Sequence, residues 1–411
     1  MSRVSKVDIL ARVEGHGTVE LVSDGKRVVD ARFLIHESPR FFEALLTGRR
    51  FDEVADIACR ICSICSTVHK IAALQAVEQA MGIYISRQTA LLRELALYGG
   101  VIESHALHIF CLALPDYLDV KSINELSERE PQKMKTGLKI KKLGNFIQES
   151  VGGRAIHPFN LLLGGVGTPP TPEVLKEISD QIRIMRSEIS ETIVYALKLE
   201  EILPPLSPLE QCAVIGSYQF SAGKLMTSTG RVISADYGVE WFNEHIEPYS
   251  NAKISRFDGS TPLFVGPLAR ILLSMPPLYS ENFVDRSIRS SLKARAVELE
   301  LSLEKAEVLI RQLIEAGLKS EQPAVSRSCT TEGVSLIEAP RGTLLHRYRF
   351  DTNGICRAAD IITPTAINQS AIAASLKELI VLMDGADYDQ IKKTAEILIR
   401  CYDPCISCAV H

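Results

Sequence analysis

The sequence predicts an α-rich α+β fold: a bundle of long helices with small β elements at its periphery. Three observations carry this. Apolar residues recur at helical spacing through four segments, 62–114, 172–203, 280–317 and 365–401. Alternating stretches of β-branched residues are short and sit beside turn signals. No linker, internal repeat or low-complexity run divides the 411 residues, so one domain, 1–411, is expected.

Taken in order, residues 17–35 ("GTVELVSDGKRVVDARFLI") read as a β-hairpin around the Asp24-Gly25 turn signal. Helical period runs from Cys65 to Met81 and again from Gln88 to Leu114. Residues 131–172 read as turn-rich, with "VGGRAIHPFN" and "LLLGGVGTPPTP" as punctuation. Pro172 opens a long helix, with proline at its first position. Residues 204–275 read as irregular with short strands at "CAVIGSYQF" and "PLFVGPLARI", and 280–317 as helix again. Short strands with an Asn353-Gly354 turn fill 324–362, and two helices, 365–384 and 387–401, close the chain. The Gly164, Gly165, Gly167 cluster is followed by two prolines and lacks the spacing of a phosphate loop.

Composition narrows the function. A net charge of −4 leaves no basic excess to displace counterions, so no nucleic-acid partner is expected. "KMKTGLKIKK", with its five lysines, reads as a solvated face or a docking patch. No run reaches the ~18 apolar residues of a membrane span, and the N-terminus "MSRVSKVDILARVEGHG" has no apolar signal region. A cytoplasmic location is the expectation. Ten cysteines in a chain of this length point to metal or redox chemistry rather than a disulfide scaffold.

Those cysteines concentrate at two places. "RICSICSTVH" holds Cys62 and Cys65; "DPCISCAVH" holds Cys405 and Cys408 and ends on His411. Two CxxC pairs supply four thiolates, enough for a tetrahedral metal or part of a cluster. A structural zinc is one reading, although zinc pairs more often lie ~12–20 residues apart, whereas almost the whole chain separates these. Cys62 and Cys65 precede a helix, whose positive end favours the thiolate.

With "ARVEGHG" (11–17), "SHALHIF" (104–110), "GGRAIHP" (152–158), "EAPRG" (338–342) and "TPTAIN" (363–368), the two cysteine motifs resemble the large subunit of a nickel-iron hydrogenase. The similarity extends along the whole chain and leans toward the cytosolic viologen-reducing and heterodisulfide-reductase-linked group. It implies reversible heterolytic cleavage of H2. All four cysteines would bind nickel, with Cys65 and Cys408 bridging to an iron that carries one carbonyl and two cyanide ligands. An iron-sulfur small subunit, with further electron-transfer or heterodisulfide-reductase-type subunits as candidates, would take the electrons. It would dock where Cys62 and Cys65 approach the surface.

The resemblance also distributes roles. Cys405 would be the first proton acceptor and Glu14 the relay beyond it. Arg341 would lie over the iron and donate to a cyanide; Thr365 and the backbone around Pro364 would serve the other. His69 would hydrogen-bond a bridging thiolate, with Asp403 and His108 nearby. Glu43, the carbonyl of Ile361 and His411 would hold Mg2+ or Fe2+. Cys59 and Cys401 read as small buried residues, and Cys111, Cys212, Cys329 and Cys356 receive no role. Ser63 stands where the family commonly has glycine, and Ser104 where many members have aspartate. Two other classes compete: a hydrogenase-like scaffold subunit of the respiratory complex I type, which generally lacks the four cysteines, and a non-catalytic zinc protein.

Overall fold

The computed structural model describes residues 4–215, 223–234, 239–259, 261–274, 283–325 and 331–411. The expected hairpin is present as β2 (Gly17–Ser23) and β3 (Val28–Ile35), and β1 (Val4–Leu10) pairs antiparallel along β2 to complete a three-stranded sheet. Asp24 closes the turn by accepting from the amides of Lys26 and Arg27.

The helical scaffold consists chiefly of α1 (Ser66–Met81), α2 (Arg87–Leu107), α3 (Pro131–Gly152), α4 (Pro172–Lys198) and α5 (Ser291–Ala316). The two helices expected within 62–114 are present, separated at 82–86, where Gly82 takes a left-handed φ of 60°. Beyond α2 the chain passes through a π-helical turn, His108–Ala113, to Tyr117. The stretch Arg87–Tyr117 is long and apolar enough to cross a membrane, yet 89% of its most apolar window is buried inside the protein. α4 ends at Lys198, ahead of Pro204-Pro205, and not at 203. α5 starts only at Ser291, after a 3-10 turn, Ile288–Ser290; residues 280–282 lie outside the described set.

One expectation fails outright. Residues 131–152 form a helix rather than turns. α3 buries Met134, Ile140, Leu143, Ile147 and Val151 on one face, while its lysines stay on the rim. Its glycines permit close packing rather than a turn. A Cβ on Gly144 would sit 2.5 Å from the Glu103 nitrogen and 2.7 Å from the Gly99 oxygen of α2.

A second three-stranded sheet, β4 (Glu332–Ala339), β5 (Gly342–Phe350) and β6 (Cys356–Ile362), packs on α1. Two helices follow, α6 (Pro364–Leu382) and α7 (Tyr388–Tyr402), separated at Gly385. The middle of the chain carries short strands at 210–215, 224–227, 232–234, 242–246, 253–257 and 263–264, and a helix at 267–274. Part of the anticipated "CAVIGSYQF" strand, and Cys329, fall outside the described residues. The largest buried apolar cluster runs from Leu46 through α1–α5 to the last two cysteines of the sequence, and a second joins the N-terminal sheet to α6 and α7.

Candidate metal centre

The 3-10 turn Cys59–Ile61 ends in extended backbone at Cys62, and Cys65 caps α1. At the other end α7 stops because Asp403 adopts a left-handed φ of 52° and Pro404 follows. The chain turns there and delivers Cys405 and Cys408 in one helical turn, Ile406–Ala409. The four sulfurs converge: all lie within 4.8 Å of one another and all four residues are buried. Cys62 Sγ is 3.3 Å from Cys405 Sγ, which is 2.9 Å from Cys408 Sγ.

Four thiols this close cannot all ionise unaided. Hydrogen bonds from Cys405, Cys408 and Cys62 hold Cys65 well below the ordinary thiol range, against burial and with help from Arg341. Burial, then its sulfur neighbours, pushes Cys405 well above that range; burial dominates for Cys408 too. A cation supplies what is missing, and soft sulfur donors select a thiophilic metal.

One clamp was not legible in the sequence. The Arg40 guanidinium donates to the carbonyls of both Ile61 and Ser407, and its backbone N–H donates to Val410 O at 2.8 Å. A single side chain therefore ties the two cysteine motifs together.

Arg341 comes from the turn between β4 and β5 and is 2% exposed. Nη1 donates to Cys65 Sγ (3.4 Å), Nε to the Asp403 carbonyl (2.9 Å) and Nη2 to Asp403 Oδ1 (3.0 Å). Pro364 and Thr365 open α6, both buried, and Thr365 Oγ1 accepts from the Cys405 N–H at 2.9 Å. The Thr365 hydroxyl proton stays available for a further acceptor.

His69 lies on α1 with Nε2 3.5 Å from Cys408 Sγ, and its Nδ1 is 3.0 Å from His346 Nε2. His346 Nδ1 in turn meets Tyr348 Oη at 2.6 Å. With Cys408 held as a thiolate by a metal, one assignment satisfies the chain: tyrosine donates to His346, His346 to His69, and His69 to the thiolate. The alternation "HRY" placed His346 and Tyr348 on one face of a strand, which is the only sequence signal for them. His108 stands apart from the sulfurs; its Nε2 donates to the Arg400 carbonyl at 2.9 Å. Ser104 is buried with its Oγ unpartnered, and Ser63 is exposed.

Glu14 is half-buried beside the second motif. Its carbonyl accepts from Ile406 N–H (3.2 Å), and its carboxylate accepts from Ser407 N–H (3.0 Å) and Oγ (2.5 Å). An isolated β-bridge pairs it with Cys405.

Glu43, Ile361 and His411 also meet. Glu43 Oε1 accepts from Ile361 N–H (2.8 Å) and lies 3.8 Å from His411 Nε2, while Oε2 pairs with Lys253 Nζ at 2.6 Å. Burial opposes its ionisation, but His411 and Lys253 outweigh it and bring Glu43 down to about 2. His411 Nε2 faces the Ile361 carbonyl (2.7 Å) and Nδ1 faces the Cys408 carbonyl (2.6 Å). Both ring nitrogens therefore face carbonyl oxygens. Cys59 is buried with its Sγ on the Asp56 carbonyl, and Cys401 is buried, as expected of packing residues.

Comparison with known proteins follows the same line. Residues 40–149 and 217–411 match the model of the family described as nickel-dependent hydrogenase. The chain is 35% identical to sulfhydrogenase 2 subunit alpha of Pyrococcus furiosus, covering 99% of each, and 33% identical to sulfhydrogenase 1 subunit alpha of the same organism, covering 98% and 97%. The fold superposes on the crystal structure of an NAD+-reducing NiFe-hydrogenase in its H2-reduced state with a TM-score of 0.90, at 24% identity over the whole of both chains.

Proposed function

The chain belongs to the nickel-dependent hydrogenase family, and we propose that Cys62, Cys65, Cys405 and Cys408 hold its nickel-iron centre. It is the catalytic subunit of a hydrogenase, an oxidoreductase. The observation that carries the site assignment is the convergence of four buried sulfurs within 4.8 Å. A hydrogenase-like scaffold has no use for that set, and the family match disfavours an isolated structural zinc.

When bound, the nickel-iron pair supplies the electrophile that heterolysis of a very weak acid requires. The surrounding residues handle protons and geometry. Cys405 is the first base, and Glu14 is the relay behind it, next to Cys405 through the β-bridge and fixed by Ser407. Arg341 is aimed over Cys65 by Asp403, where a cyanide ligand would accept its N–H, and Thr365, at the start of α6 with Pro364, offers a hydroxyl to the second cyanide. His69 would donate to Cys408, one of the thiolates that would hold the centre.

Glu43, the Ile361 carbonyl and His411 form a hard-donor set for Mg2+ or Fe2+. An ion bound there would tie His411 to Glu43 and Ile361, so the bound ion and the docking of this last segment would stabilise each other. We read residues 1–411 as one catalytic unit.

Electrons leave toward an iron-sulfur small subunit, with further redox subunits beyond it. The docking face lies beside the first cysteine pair. There Ile156 and Phe159 are 49% and 58% exposed, and the His157 N–H bonds Ser66 Oγ at the start of α1. The two cysteines themselves are buried behind exposed Arg60 and Ser63. The described cysteines are all free thiols, as a reducing cytoplasm would keep them.

The test is metal analysis with infrared spectroscopy on complex purified anaerobically from its native host. Nickel with iron, and sharp carbonyl and cyanide bands, is the expected result. Zinc alone with no such bands overturns the reading.

A further inference from the structure

Asp403 is held by two arginines. Arg341 takes its carbonyl and Oδ1, but Oδ2 makes no hydrogen bond and faces Arg295 Nη2 at 3.7 Å. Arg295 projects from α5 and is the largest fully buried side chain among the described residues, with 1% of its side chain exposed. Its Nη1 donates to the Cys401 carbonyl (3.1 Å) and to Ser291 Oγ, which also donates to that carbonyl at 2.7 Å. Arg295 thus grips the last turn of α7 immediately before the chain bends into the second cysteine pair.

Two buried guanidiniums, those of Arg295 and Arg341, share the Asp403 carboxylate. One turn further along α5, Glu298 pairs with Arg270 and His105, and Arg270 pairs with Glu338 as well. Burying a guanidinium costs several kcal/mol unless it is closely paired, and Arg295 meets Asp403 only at 3.7 Å. The four-sulfur cluster lies on the far side of Asp403 and Arg341, so thiolates there would add negative charge facing both guanidiniums.

We propose that Arg295 is a positioning residue for the metal centre. It fixes the free oxygen of Asp403, so that Asp403 in turn holds Arg341 against Cys65, and it places a buried positive charge behind that pair, on the side away from the anionic sulfur ligands. This rests on the hydrogenase reading above.

The test uses the anaerobically purified holo-complex carrying Arg295→Met, Arg295→Lys or Ser291→Ala, read by metal content, infrared bands and redox titration. Arg295→Met is expected to shift the cyanide bands and move the midpoint potential of the centre to more negative values. Arg295→Lys, which keeps the charge, should return most of the potential. If Arg295→Met lowers thermal stability but leaves bands and potential at wild-type values, the residue is only a brace and the proposal is overturned. If the Met variant fails to load metal, Ser291→Ala decides: it only loosens the guanidinium, and unchanged cyanide bands there overturn the proposal as well. Absence of carbonyl and cyanide bands from the wild-type complex is a different failure, that of the hydrogenase assignment.

Discussion

His69 Nδ1 lies 3.0 Å from His346 Nε2, and this contact gives the thiolate cluster a hydrogen-bonded spine that ends on a fully buried tyrosine. The spine fixes the tautomer of His69 from behind, which leaves its Nε2–H aimed at Cys408. Tyr348→Phe removes the terminal donor and leaves His346 Nδ1 unsatisfied in the interior. A loss of about 1–3 kcal/mol is expected, measured as a lower unfolding midpoint with nickel content unchanged. A Phe variant as stable as wild type would mean that the tyrosine does not donate.

Glu14→Gln keeps the shape of the side chain and removes its capacity to carry a proton. Turnover of H2 with an artificial dye should fall roughly a hundredfold or more, with metal content and infrared bands intact. Near-wild-type turnover would assign the proton route to another group.

Acid should weaken the metal-free chain through its buried histidines. Burial holds His69 down to about 4 and His108 to about 3, from an ordinary value of 6.5. Between those values the unfolded chain binds protons that the folded chain refuses. The stabilising effect of neutrality is therefore complete above about 6.5 and is lost as pH falls below it. His108→Gln can still donate to the Arg400 carbonyl but does not titrate, so its urea midpoint should drop less than wild type between pH ~7.5 and ~5. Equal drops in both proteins would contradict this.

Gly144→Ala tests the packing of α3 on α2. The new methyl has only backbone atoms of Gly99 and Glu103 to push against, so about 1–3 kcal/mol of destabilisation is expected. A variant with an unchanged melting midpoint would show that the two helices can separate freely.

The same glycine marks where sequence reasoning reaches its limit. The four metal-ligating candidates were legible because CxxC spacing is a local pattern with chemical meaning, and Glu43, Ile361 and His411 were brought together as the resemblance implied. Hairpin 17–35 was legible from alternation and its Asp-Gly turn. α3 was not, because Gly137, Gly144 and a run of lysines carry the signs of loop and solvated face. Gly144 lets two helix backbones approach and Gly137 makes room for the Phe110 ring, and both depend on a partner distant in sequence. Arg40 and Arg295 were invisible for a similar reason. Each acts on backbone carbonyls or a carboxylate delivered by another part of the chain, and neither sits in a motif.

The clamp made by Arg40 has a consequence in time. Its two carbonyl partners belong to motifs whose sulfurs, Cys62 and Cys405, lie 343 positions apart. At ordinary synthesis rates roughly 20–70 s pass between the emergence of the first thiol pair and the second. Through that interval the scaffold around α1–α5 is able to collapse, yet the cluster has half its ligands and Arg40 has half its partners. The clamp is therefore a latch that can close only after the second motif has been made, and the two cysteine pairs are locked together late.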